Sequence, residues 1–335
     1  MTPTLPTSSN LAELLAKPPA PLEFVLPGLK RGSVGALVSP GGTGKSYWAL
    51  QLAVALACGR AADLTGLAPP AGRVLFLSAE DDDIVLAQRL HAIAQHLPKD
   101  SATRSALARL DYRNCVGRYV DVMDSGWLKP VIEAAKDAQL IVLDTLTRFH
   151  GLDENSALDM KRLIAVLERL AVESGATVLY LHHTSKTAVM NGQASMQQAA
   201  RGSSVLIDNA RWAAFMAVMT EAECRRFGVA LDERELYVRW NVSKQNYAAP
   251  MSDRWYRRDV AGVLLPVEMQ VRVRAEAPAG GPALEGNDTH AVSSKGTVPA
   301  PAWVAEPGPN GMHTARGAPA PAAIPSVKNA FDGNW

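Results

Sequence analysis

Apolar positions along this chain follow two alternating rhythms. Runs of strand length at 34–39, 74–78, 140–144 and 177–181 are apolar at nearly every position, as strands buried on both faces require. Between them, 45–58, 83–95, 128–136 and 156–174 repeat their apolar residues at helical spacing, and Gly175 follows the last of these in the position of a helix C-cap. Strand and helix in alternation predict a parallel sheet covered by helices. Three later runs, 212–219, 235–242 and 262–266, have no long helical pattern between them and predict antiparallel additions to the sheet edge. The expected fold class is therefore α/β: a mostly parallel twisted sheet with helices on both faces and an antiparallel β extension.

Composition sets the outer limits of this core. After Arg274 the chain turns to Ala, Pro, Gly, Ser and Thr with few apolar residues, too few to offset chain entropy, so 275–335 is expected to be disordered. It ends in Ala330-Phe331-Asp332-Gly333-Asn334-Trp335, which reads either as an aromatic docking tag or as an unselected end. Residues 1–22 are expected to form a flexible N-terminal segment, leaving 23–274 as the folded domain. The 335 residues carry a net charge of +1 with no basic block, which neither supports nor excludes a nucleic-acid partner. Cys58, Cys115 and Cys224 are scattered, without zinc or disulfide spacing, and are expected to be small buried residues in a reducing compartment. With no signal-peptide pattern and no apolar run of membrane length, a cytoplasmic protein is expected.

Candidate chemistry begins where the first apolar run ends. Ser39-Pro40-Gly41-Gly42-Thr43-Gly44-Lys45-Ser46 lies between a strand and a helix, the setting in which a glycine-rich loop turns its backbone N–H groups onto a polyphosphate. Pro40, Gly41, Gly42, Thr43, Gly44, Lys45 and Ser46 are thus the candidate ATP-binding residues. Lys45 would meet the β- and γ-phosphates, and the Ser46 hydroxyl would meet Mg²⁺. Ser39 stands where the motif usually starts with glycine, and a small residue still fits that turn. An ordinary glycine turn ending in Lys-Ser is the plain alternative.

Partners for the phosphates are expected at the ends of the other strands. The run 140–144 ends in Asp144, a candidate Mg²⁺ carboxylate at the same sheet edge. The run 74–78 leads into Ala79-Glu80-Asp81-Asp82-Asp83, where Glu80 is the candidate general base; Asp82 and Asp83 are accounted for by a helix start. The run 177–181 leads into His182-His183, which point to opposite faces of a strand, so only one faces the nucleotide and His183 is favoured. Arg148, Lys186 and Arg201 flank these strand ends in polar segments and are candidate nucleic-acid contacts, or plain solvated residues. Arg211 and Lys244 lie in the later β-rich part; either could serve a neighbouring subunit's site as an arginine-finger-type cation, or form a surface ion pair.

In their order, these motifs resemble the hexameric RecA-like P-loop ATPases, most closely the RepA-type replicative DNA helicases of broad-host-range plasmids. The similarity spans roughly 20–265 and rests on Leu26-Pro27-Gly28-Leu29 before the loop, Leu77-Ser78-Ala79-Glu80-Asp81, Leu143-Asp144-Thr145-Leu146, Leu181-His182-His183-Thr184-Ser185-Lys186, Arg201-Gly202-Ser203-Ser204 with Asp208 to Trp212, and Ser243-Lys244-Gln245-Asn246-Tyr247. The resemblance implies a ring of six subunits with ATP at each interface and single-stranded DNA through the centre. It also implies that Glu80 is the catalytic glutamate, Asp144 the metal aspartate and Arg211 the trans-acting arginine. Asn246 stands where the wider group of bacterial replicative helicases has an arginine, which shifts weight from Lys244 to Arg211. Primase or initiator partners would be separate chains, engaged through the tail. Two rivals share these motifs: an ATP-switched recruitment or regulatory protein, and a recombinase-like filament.

Overall fold

The computed structural model describes residues 7–184 and 204–272. Helix α1 (Leu11–Ala16) is capped by the Asn10 side chain and fully exposed. Strands β1 (Phe24–Leu26) and β2 (Leu29–Lys30) form a small antiparallel hairpin that turns through Gly28 at a φ of 76°. The main fold then runs β3 (Val34–Ser39), α2 (Lys45–Cys58), β4 (Arg73–Ser78), α3 (Asp83–Ala94), α4 (Ser101–Ala106), β5 (Leu110–Asn114), α5 (Ser125–Ala134), β6 (Ala138–Asp144), α6 (Ala157–Ser174) and β7 (Thr177–His183). It continues through α7 (Ser204–Asn209), β8 (Trp212–Val218), α8 (Glu221–Phe227), β9 (Tyr237–Gln245), β10 (Arg254–Arg258) and β11 (Leu264–Val267).

Nine strands form one sheet in the order β11-β10-β9-β8-β3-β7-β6-β4-β5. From β8 to β5 every pairing is parallel; β9, β10 and β11 are antiparallel. This corrects the expectation for 212–219: β8 is not an antiparallel edge strand but lies parallel to β3, with Gly35 opposite Trp212 and Val38 opposite Phe215. The segment from 184 to 211 is long enough for a parallel crossover, which needs a dozen or more residues rather than one long helix. The charged strands β5 and β10 and the helices α1, α4, α7 and α8 are additions to the expected elements. Cys115 and Cys224 are buried as expected, whereas Cys58 is only partly so.

Alternation along each parallel strand divides its side chains between two cores. Val34, Ala36 and Val38 join α5, α6 and α7 on one face, while Leu37, Phe76, Val142 and Leu181 join α2 and Ile93 of α3 on the other. In the second core Trp48 of α2 stacks on Trp240 of β9, with ring centroids 5.6 Å apart, and Trp240 meets Trp212 at 6.3 Å. Such ring pairs add roughly 1 kcal/mol each beyond the area they bury, so α2 is fixed to the antiparallel strands as well as to the parallel ones. Gly35 admits this packing: a Cβ there would stand 2.8 Å from Leu29 and 3.0 Å from Trp212. The register sets the C-terminal ends of β3, β7, β6 and β4 side by side, with Ser39 opposite His183 and Ser78 opposite Asp144. Among the described residues no helix is long and apolar enough to cross a membrane.

Candidate active site

Between β3 and α2 the chain makes a tight loop that only glycine tolerates at two points, Gly42 with a φ of 79° and Gly44 with a φ of 99°. Gly44 is the N-cap of α2 and offers no side-chain acceptor, so the N–H groups of the first helical turn are left for an anion. Buried Ser39 replaces the usual glycine without disturbing the turn, its hydroxyl donating to the Pro40 carbonyl at 3.0 Å. Thr43 donates to the same carbonyl at 2.9 Å, and the Thr43 carbonyl accepts from the Arg258 guanidinium at 2.9 Å.

Lys45 opens the helix and is almost completely buried, 3 % exposed, with no hydrogen-bond partner for Nζ among the described residues. Burial lowers its pKa, opposed by the charges of Asp144, Glu80 and Asp81. A buried ammonium without acceptors is costly, and phosphate oxygens would supply them. Next to it the Ser46 hydroxyl donates to Asp144 Oδ1 at 2.9 Å. Asp144 is buried at the end of β6, and burial pushes its carboxyl up to about 6 despite the opposing pull of Lys45 and Ser46. A hydroxyl and a carboxylate so paired are the hard oxygen donors that Mg²⁺ accepts.

Glu80 leaves the end of β4 one strand further along. Its Oε1 accepts from the Thr145 hydroxyl at 2.9 Å and faces His183 Nε2 at 3.4 Å. His183 first, then Thr145 and the Lys45 charge, hold this carboxyl at about 2 against its partial burial. The Asp144–Thr145 peptide, which carries the Thr145 hydroxyl to Glu80, is cis. Asp82 caps α3 by accepting from the Ile84 and Val85 N–H groups, Asp83 accepts from Asn114, and Asp81 pairs with Arg89. His182 points the other way into the interior, where burial lowers its pKa to about 4 and keeps the ring neutral. Among the described residues its Nδ1 has no partner.

The fold thus brings Lys45, Ser46, Glu80, Asp144 and His183 to one edge. Arg148 is exposed in the 3₁₀ turn Leu146–Phe149 directly after the Asp144 strand. Lys186 and Arg201 lie outside the described residues, as do most of the polar loop around them and the tail from 275. Arg211 and Lys244 are not part of this cluster. Arg211 precedes Trp212, which pairs with Gly35 at the opposite end of β3, about 15 Å from the loop at 3.3 Å per residue. Lys244 stands opposite Ala213, in register with Ala36 part-way along β3, and donates to the carbonyls of Ile207 and Asp208, so its ammonium serves the C-terminal end of α7. Two residues beyond the expected set stand at the cleft: Thr145, which positions Glu80, and Arg258, which reaches the loop. Thr145 was foreshadowed by its place after Asp144. Arg258 belongs to the run Arg254-Trp255-Tyr256-Arg257-Arg258, whose aromatic residues carry a strand signal but whose pairing with Thr43 is set by topology.

A family model described as an AAA domain matches residues 2–189. A solved structure titled ATPase Domain of G40P superimposes with a TM-score of 0.51 at 13 % identity, covering 77 % of this chain and 96 % of that one. The crystal structure of the RadB recombinase gives a TM-score of 0.43 at 16 % identity over the same shares of the two chains.

Proposed function

This chain belongs to the AAA domain family, and on that premise we propose that it is a ring-forming, ATP-driven DNA helicase that moves on single-stranded DNA during plasmid or mobile-element replication. Its fold is that of the RecA-like P-loop ATPases. The loop N–H groups and Lys45 bind the β- and γ-phosphates. Ser46 and Asp144 hold Mg²⁺, which neutralises phosphate charge when bound. Glu80, fixed by Thr145 and His183, orients the attacking water. A carboxylate as acidic as this one polarises water and holds it in line rather than retaining its proton. When the γ-phosphate leaves, the contact between Glu80 and His183 changes, and β7 passes that change to the segment that follows it.

The observation that supports a ring is the separation of two parts. The cleft lies at one edge of the sheet, while Arg211, exposed and without an ion pair among the described residues, lies at the other. Head-to-tail packing brings unlike surfaces together, so Arg211 of one protomer can complete the cleft of the next, which it cannot do for its own. The sequence motifs shared with RepA-type helicases support DNA as the track. The test measures hydrolysis with and without single-stranded DNA, unwinding of a forked duplex, and mass in solution with a non-hydrolysable ATP analogue. The expected result is a hexamer, stimulated hydrolysis and strand separation. Full hydrolysis by a monomer indifferent to DNA would contradict the proposal.

A further inference from the structure

The Thr43–Gly44 peptide links the loop to α2, and its two polar groups point in opposite directions because the peptide is trans and planar. Its carbonyl accepts from Arg258 Nη2 at 2.9 Å. Its N–H therefore points away from the Arg258 guanidinium. Arg258 arrives from the far end of the sequence but not on a loose arm. It pairs with Leu264 across the β10–β11 hairpin, and buried Gln51 of α2 grips Leu264 twice, donating to its carbonyl at 2.8 Å and accepting from its N–H at 2.9 Å. Arg258 also lies close to Gly44 itself: a Cβ built there would stand 3.4 Å from Nη1, in van der Waals contact with it.

We infer that Arg258 is a positioning residue of the phosphate cradle, holding the Thr43–Gly44 peptide so that the Gly44 N–H is aimed at a bound polyphosphate before it arrives. The inference deepens the nucleotide reading above and rests on it. Without Arg258 the peptide can rotate, and the N–H must be re-aimed at each binding event. That cost falls on affinity for the polyphosphate more than on the chemical step, which belongs to Glu80 and Asp144.

Calorimetric titration with Mg-ADP and with tripolyphosphate, for wild type and Arg258→Met, tests this. Loss of a hydrogen bond from a charged donor is expected to weaken both ligands about tenfold to a hundredfold, with kcat at saturating ATP kept within about threefold. Wild-type affinity for both ligands in folded Arg258→Met overturns the inference alone. No binding of Mg-ADP by wild type removes the nucleotide reading, and the inference with it. Should Arg258→Met not fold, Arg258→Lys carries the test through ¹⁵N NMR. A shifted and faster-exchanging Gly44 amide supports the inference, and an unchanged one overturns it.

Discussion

Two carboxylates a strand apart are driven in opposite directions by their surroundings. Glu80 is held at about 2, so it is ionised throughout the physiological range; its stabilising effect is present above the ordinary glutamate value and disappears only as pH falls towards 2. Asp144 is raised from 3.8 to about 6 by burial. Between those values the folded protein holds its proton more tightly than the unfolded chain does, so this group's contribution to stability falls as pH rises through the window. Mg²⁺ competes with that proton. Affinity for Mg-ADP, followed by calorimetry, is expected to drop as pH falls below about 6, approaching tenfold per unit, and Asp144→Asn should bind weakly with that slope lost. Asp144 and Glu80 could be singled out from the sequence because one ends an apolar strand and the other lies two residues beyond the end of one, which is a local signal. The bond from Arg258 to Thr43 was not, because nothing near either residue announces a partner on the other side of the chain.

Among the elements, the β10–β11 hairpin is joined to α2 by the Tyr47 hydroxyl on the Ala261 carbonyl, by Trp48 edge-on to Tyr256, and by Gln51. Gln51 satisfies both backbone groups of Leu264 inside the core. Gln51→Leu has nearly the same volume but leaves those groups unpaired, and is expected to lower the unfolding free energy by about 3 kcal/mol, measured by urea denaturation. A loss of only a few tenths would mean that the contact carries little. The buried strands β3, β4, β6 and β7 were legible because parallel strands covered on both faces are apolar throughout. Strand β5, Leu-Asp-Tyr-Arg-Asn at the sheet edge, and β10, Arg-Trp-Tyr-Arg-Arg, keep charges on partly exposed faces and so lack that pattern. The direction of β8 was misread for a different reason: a strand's own residues fix its burial, whereas its direction depends on how the chain returns to the sheet.

For the whole molecule, the separation of cleft and Arg211 leads to a test by mixing. Lys45→Ala protomers lack a working cleft but keep Arg211, and Arg211→Ala protomers have the reverse defect. Neither is expected to turn over ATP alone. Random rings made from equal amounts of both place an intact cleft beside an intact Arg211 at about a quarter of interfaces, so a comparable share of wild-type turnover should return. No recovery in rings that demonstrably contain both variants would remove Arg211 from the neighbour's site.

The most direct measurement is a single-turnover assay of Mg-ATP with wild type and Glu80→Gln, with nucleotide affinity determined in parallel. Glu80→Gln should bind Mg-ATP about as tightly as wild type and cleave it at least about a hundredfold more slowly, because its amide carries no charge with which to polarise the water. Cleavage at the wild-type rate by a Glu80→Gln protein that binds ATP normally would contradict the assignment of this sheet edge as the hydrolytic centre.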